Sequence, residues 1–277
     1  EALTSPRAVQ TNEVFQAMTT SESTDDQPGR QGVALIVGGG PSISASCARL
    51  FASNGMDVAI AARNPDKPAL IELEQTHGVH RYGCDAADRA AVEQLFDKVV
   101  AEHGAPSLVV HNIDGRFKGI FRNPIAEVDP DMAFEVLRNS AFSAFLVGQQ
   151  AARHMLTNEP NTNGARGTII FTNASGAIKG YAQSGAFAMA CHAKSGLAES
   201  MARELMPQGI HVVTVPIDGA VGWTREDGKR AHWLAGESVN DNTLDPDAIA
   251  ETYLQLHRQH RSAWTAEVIL RPWLENW

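Results

Sequence analysis

Val33-Ala34-Leu35-Ile36-Val37-Gly38-Gly39-Gly40-Pro41-Ser42-Ile43-Ser44 is the stretch that decides the fold. Five apolar residues in a row, three of them β-branched, read as a strand buried on both faces. Three glycines end the run, and a helix-period segment follows to about Asn54. A glycine turn between strand and helix lets backbone amides at the helix N-terminus approach a pyrophosphate. Alone, the same turn is also a plain tight β-to-α connection, so its surroundings have to separate the two.

Outward from it, segments at 57–61, 80–84, 108–111, 168–171, 210–215 and 268–270 read as further strands, most of them apolar. Helical segments alternate with them: a short one after Pro68, then 86–103, 131–156, 187–206 and one capped by Asp245 or Asp247. In the 86–103 segment Val92, Leu95, Phe96 and Val99 share one face. The alternation predicts an α/β fold: a single Rossmann-type, doubly wound domain over 33–277 with a seven-stranded parallel sheet flanked by helices. Residues 219–244 form a long polar excursion, expected as a substrate lid with Trp223 and Trp233. Residues 1–32 are polar and read as a flexible N-terminal tail or leader, with Met18 a candidate natural start.

Composition narrows the function. The chain has 277 residues, 43 % hydrophobic and 20 % charged, suited to one large domain with a sizeable core. A formal charge of −9 argues against a nucleic-acid partner, which needs clustered Lys and Arg. No apolar run is long enough to span a bilayer. Three scattered cysteines, Cys47, Cys84 and Cys191, suggest reduced thiols and a cytoplasmic location. The ten histidines show no HExxH; His257 and His260 read as a solvated helix surface, and no metal is expected.

The end of the second strand reads Ala61-Ala62-Arg63-Asn64. It lacks the carboxylate that holds a ribose 2′-hydroxyl in NAD sites and offers a guanidinium suited to a 2′-phosphate. The expected cofactor is therefore NADP(H).

In motif order, the segment from Val33 to Arg271 resembles the short-chain dehydrogenase/reductase superfamily. The glycine turn resembles the family's glycine-x3-glycine-x-glycine at Gly38, with Ser42 and Ser44 in the places of the later glycines. The resemblance assigns cofactor contacts to Gly38, Gly40, Ser42, Ile43 and Arg63, to Asp85 near the adenine, and to Asn112, Lys194 and Pro216. It also assigns a water-holding role to Asn139, preceded by Arg138, and a substrate-orienting role to Ser175, with Thr172 or Asn173 as alternatives. Lys194 matches the family's catalytic lysine, expected to emerge beside Ala190 and reach the nicotinamide ribose.

The family's catalytic tyrosine sits four residues before that lysine, and here the residue is Ala190. General acid catalysis contributes on the order of 10²–10⁴ in rate, so a ketone reductase without it is handicapped. Either Tyr181 supplies the proton, or the acceptor is an iminium, which takes hydride to give a neutral amine and leaves no alkoxide. The second option also reads Ala190 as enlarging the pocket, with Asp114 or Asp218 steadying a cationic substrate. One branch fits this logic: the chain resembles the fungal bifunctional reductase/Diels–Alderases of indole-alkaloid biosynthesis, which lack the tyrosine and carry an Arg where Arg138 stands. That branch has Pro-Asp-Pro-Gly-Trp where this chain has Thr172-Asn173-Ala174-Ser175-Gly176. Uncharacterised Tyr-less bacterial reductases are as similar. The expectation is an NADPH-dependent reductase of an iminium or activated carbonyl in a bulky small molecule. The alternatives are a cofactor-assisted Diels–Alderase, pericyclase or isomerase, and a non-enzymatic nucleotide-binding protein. The two long helices resemble those through which the family forms homodimers and homotetramers, with Ala141, Ala144 and Ala198 allowing close packing.

Overall fold

The computed structural model describes residues 31–224, 228–232 and 235–275. The expected tail falls almost wholly on 1–30, and Trp233 on 233–234, both outside the described residues.

Six parallel strands form the central sheet: β1 (Val33–Val37), β2 (Asp57–Ala62), β3 (His80–Gly83), β4 (Leu108–His111), β5 (Gly167–Ala174) and β6 (Ile210–Ile217). Their order is β3-β2-β1-β4-β5-β6. β1 shows why an unbroken apolar run was needed. Ala34 and Ile36 enter one core with α1 (Ile43–Ser53), α2 (Pro68–His77) and α7 (Pro246–Arg258). Val33, Leu35 and Val37 enter the other with α3 (Arg89–His103), α5 (Ser143–Met155) and α6 (Gly185–Leu205). Successive side chains of a strand point to opposite faces, so a sheet covered on both sides has no polar face to show. Val92, Leu95, Phe96 and Val99 are buried as expected.

The expected seventh strand is not completed. The segment at 266–270 lies parallel to β6 and exchanges backbone bonds with Thr214, Pro216 and Asp218, yet forms only the bridges Thr214↔Glu267 and Ile217↔Leu270. The register explains the interruption. Thr214 N–H reaches Ala266 O and Asp218 N–H reaches Leu270 O; the bond between them belongs to residue 216, a proline without an N–H.

The helix expected over 131–156 also differs. α4 (Pro130–Leu137) runs into a wide π turn at Arg138–Phe142 before α5 begins. There Ser143 N–H reaches back to Arg138 O, and Ser143 Oγ donates to Asn139 O at 2.7 Å. Such turns insert a residue and re-aim the side chains around them. Ala141, Ala144 and Ala198 are buried within the protomer, so they cannot be the surface by which subunits pack. Phe134, Phe142, Phe145 and Met189 are the exposed apolar residues of these helices.

His257 is not on a solvated surface. Its Nδ1 lies 3.0 Å from Thr168 Oγ1, and burial lowers its pKa to about 4. The 219–244 excursion carries a small antiparallel sheet of β7 (Trp223–Thr224), β8 (Arg230–His232) and β9 (Gly236–Glu237). Among the described residues no helix is long and apolar enough to cross a membrane.

Candidate active site

The strand order reverses between β1 and β4, and there the loops leaving the sheet diverge to leave a crevice. A cleft of about 990 Å³ occupies it, walled by the C-terminal ends of β1, β2, β4, β5 and β6 and by the 219–244 excursion.

At its phosphate end the glycine turn is explicit. Gly38 has φ +108°, and a Cβ there would stand 2.4 Å from Asn112 O. A Cβ at Gly40 would meet nothing, because that position borders open cleft. Ser44 is not a phosphate ligand waiting for its anion. Its hydroxyl donates to Gly38 O at 2.7 Å and accepts from Asn112 Nδ2 at 2.7 Å, tying together the ends of β1 and β4 and the start of α1. Ser42, the N-cap of α1, makes no cap bond, and its Oγ is buried without a partner. An orphaned buried hydroxyl costs about 1–3 kcal/mol. Beside the free amides of a helix N-terminus it fits an anionic group.

Arg63 lines the cleft at the end of β2 and is exposed; among the described residues it takes part in no ion pair or hydrogen bond. Lys67 was missed by sequence reasoning. From the start of α2 its Nζ donates to Gly39 O at 2.7 Å, setting a second cation beside the glycine turn. Its place just before Pro68, four residues after Arg63, was the available signal. Asp85 accepts the Ala87 N–H at 3.0 Å and lines the same end, as do Ile43 and Asn112.

The chemical end gathers Asn139 and Ser175, whose polar side chains have no hydrogen-bond partner among the described residues. The alternatives to Ser175 are already engaged. Thr172 Oγ1 pairs with Tyr253 OH at 2.7 Å, and Asn173 Nδ2 donates to Cys191 O and Ser195 Oγ. Tyr181 lines the cleft from the loop before α6 and is half exposed.

Lys194 lies behind the wall. It is fully buried, and its ammonium donates to the carbonyls of two lining residues, Ile113 and Thr172. Burial depresses its pKa to about 8, against weaker upward pulls from Cys191 and Asp114. Ala190, one turn earlier, does not enlarge the pocket. It is fully buried in a cluster with Ile120, Val136, Phe187 and Cys191, and lies off the cleft wall. Arg138 is also off the wall, its guanidinium 3.0 Å from Glu135. Pro216 is buried in β6, and Ile217 and Gly219 border the cleft instead.

Of the two acids expected to steady a cation, Asp218 is excluded. It is 1 % exposed between Lys179 at 3.1 Å and Arg271 at 3.2 Å. Asp114 borders the cleft, paired with Arg116, whose guanidinium packs 5.6 Å from the Phe187 ring centre and 6.0 Å from that of Phe121.

Comparison with known proteins decides the family. Residues 38–271 match the family model described as enoyl-(acyl carrier protein) reductase, one of the short-chain dehydrogenases. The chain belongs to the short-chain dehydrogenase/reductase superfamily. It is similar to (+)-borneol dehydrogenase 1 of Salvia officinalis, 29 % identical over 81 % of this chain and 85 % of that protein. A (21S)-21-acetoxyl-apo-melianone synthase of Melia azedarach is 28 % identical over 65 % of this chain, which spans 64 % of that relative's length. Among solved structures, a short-chain dehydrogenase from Rhodopseudomonas palustris superposes with a TM-score of 0.69 at 29 % identity, covering 87 % of this chain and 99 % of that one. The chain is thus an oxidoreductase of the short-chain type by family.

Proposed function

We propose that this protein is an NADP(H)-dependent reductase whose acceptor needs no phenolic proton from α6: an iminium or imine, or an activated carbonyl, of a bulky small molecule. The observation that carries this reading is Ala190, fully buried four residues before Lys194, a position that offers no phenol to the cleft.

When bound, the reduced nicotinamide supplies the hydride. Ser42 and the first amides of α1 take the pyrophosphate, with Gly38 and Gly40 giving it room. Arg63 and Lys67 supply two positive charges for a 2′-phosphate, and Asp85 and Asn112 border the adenosine and nicotinamide halves. Lys194 acts through the wall, holding the carbonyls of Ile113 and Thr172 against which the ribose of the nicotinamide would lie. Asn139 holds a water at the cleft floor, and the Ser175 hydroxyl contacts the substrate. Trp223 and Phe121 give the substrate apolar walls.

For a cationic acceptor, Asp114, which borders the cleft and shares its charge with Arg116, is the carboxylate of the two within reach, since Asp218 lies off the wall. Hydride delivered to an iminium carbon leaves a neutral amine, so no proton has to be donated in the same step. A bulky substrate is also consistent with a relative named for borneol, a bicyclic alcohol. The exposed Phe134, Phe142 and Phe145 on the α4–α5 face make that face the packing surface of a homodimer or homotetramer.

The test is NADPH oxidation with a panel of cyclic iminium ions, imines and matched ketones. Iminium-dependent oxidation that survives Tyr181→Phe is expected. Oxidation with none of the panel would remove the reading's support, and loss of activity in Tyr181→Phe would move the acid to that loop.

A further inference from the structure

Away from the cleft, at the opposite, N-terminal end of strands β2 and β3, three ligating side chains converge. Asp57 opens β2, His80 opens β3 and His103 ends α3. Their ligand atoms lie within 4.8 Å of one another. His80 Nε2 stands 3.0 Å from Asp57 Oδ1, and His103 Nδ1 stands 3.1 Å from Asp57 Oδ2. The two imidazoles are 4.1 Å apart, centre to centre. Two ligands on a tetrahedral zinc, each about 2.0–2.1 Å from the metal, are separated by about 3.3 Å. With the three ligand atoms within 4.8 Å of one another, side-chain rotations on the order of an ångström bring them to that spacing.

Hydrogen-bond direction strengthens the case. The Tyr82 hydroxyl donates to Glu102 Oε2 at 2.6 Å, so it has only lone pairs to offer His103 Nε2 at 2.7 Å. Nε2 must then carry a hydrogen, and a neutral imidazole has only one. In the neutral ring Nδ1 then presents a lone pair to a carboxylate oxygen, an arrangement relieved by a cation between them, whether a metal ion or a second proton. A metal-binding histidine characteristically donates its other ring N–H to a polar partner that fixes its tautomer. The Tyr82–Glu102 pair is that partner, and the Lys98 ammonium lies 4.0 Å from the other oxygen of Glu102.

We propose that Asp57, His80 and His103 form a three-ligand site for a divalent d-block cation such as Zn²⁺, with water in the fourth position. Asp57 and His103 side chains are 10 % and 9 % exposed, whereas His80, 45 % exposed, is the gate to solvent. β2 separates the site from Arg63 by on the order of 20 Å, so the ion takes no part in the cleft. It staples the end of α3 to the two outermost strands. Sequence spacing hides the site, because the ligands are separated by 23 and 46 residues from Asp57.

The test uses the full chain, stripped with chelator and titrated with ZnCl₂ by calorimetry and with CoCl₂ by visible absorption. One ion per chain with micromolar affinity is expected, together with tetrahedral cobalt bands and a raised thermal midpoint. His80→Gln and Asp57→Asn should each weaken binding at least tenfold while NADPH affinity is unchanged. The more exposed His80 variant keeps the test independent of folding. No binding tighter than millimolar, or equal affinity in wild type and His80→Gln, overturns the site. Stabilisation by acid alone, with no response to either metal, overturns it too, because the histidines would then share only a proton with Asp57.

Discussion

Lys194 offers the sharpest quantitative consequence of this fold. Its ammonium is fully buried, and the cost of keeping charge there depresses its pKa from 10.5 to about 8. In the unfolded chain the ordinary value returns. Below pH 8 both states hold the proton, and the buried charge weighs against folding by a constant amount. Between about 8 and 10.5 the unfolded chain binds a proton that the folded protein has released, so stability rises with pH. The favourable contribution is complete above 10.5 and is lost as pH falls through 8. The whole span amounts to about 3 kcal/mol, of which about 2 kcal/mol falls between pH 8 and 9.5. Lys194→Met removes the titration and keeps the stem, although it strands the carbonyls of Ile113 and Thr172. That loss of hydrogen bonds is independent of pH, so the difference between the two proteins isolates the ammonium. Urea unfolding of both, from pH 6.5 to 9.5, should show the wild type gaining about 2 kcal/mol relative to the variant, all of it above pH 8. A difference that is flat across the range would refute the reasoning and place the ammonium in contact with water.

Other consequences are simpler. Gly38→Ala sets a Cβ 2.4 Å from Asn112 O at φ +108° and should cost about 2 kcal/mol or more, whereas Gly40→Ala, with nothing near it, should unfold with the wild type; thermal midpoints compare them. Arg63→Ala should weaken NADPH at least tenfold and leave NADH nearly unchanged, read by fluorescence titration. His257, its pKa lowered to about 4 by burial, stabilises the fold above 6.5 and loses that contribution as pH falls through 4. His257→Gln should therefore flatten the acid limb of the stability curve.

How much of this was legible in the chain depends on what each feature rests on. The sheet was readable because β1, β4 and β6 are covered on both faces and so write themselves as mostly apolar runs, unbroken in β1 and interrupted in β6 by His211 and Thr214. The edge at 268–270 was apolar enough to read as a strand, and the obstacle was Pro216 on its neighbour, visible only once the register is known. The π turn at Arg138–Phe142 leaves an apolar period almost intact, so α4 and α5 read as one helix. The residues read near the glycine turn border the cleft because they sit within a few residues of strand ends. The sequence singles out Lys194 but not its withdrawal behind Ile113 and Thr172, since burial of an ammonium leaves no mark in a helical pattern. Ala190 misled for the opposite reason: a small residue opens space only if its neighbours, here Ile120 and Phe187, decline to fill it.

The most direct measurement is the fate of the hydride itself. The protein is incubated with a cyclic iminium and NADPH deuterated on the transferring face of the nicotinamide, and the product is weighed by mass spectrometry. Incorporation of one deuterium at the former iminium carbon, in the wild type and in Tyr181→Phe alike, is the expected result. A product formed without deuterium, or only when Tyr181 is present, would contradict hydride transfer to an acceptor that needs no phenolic acid.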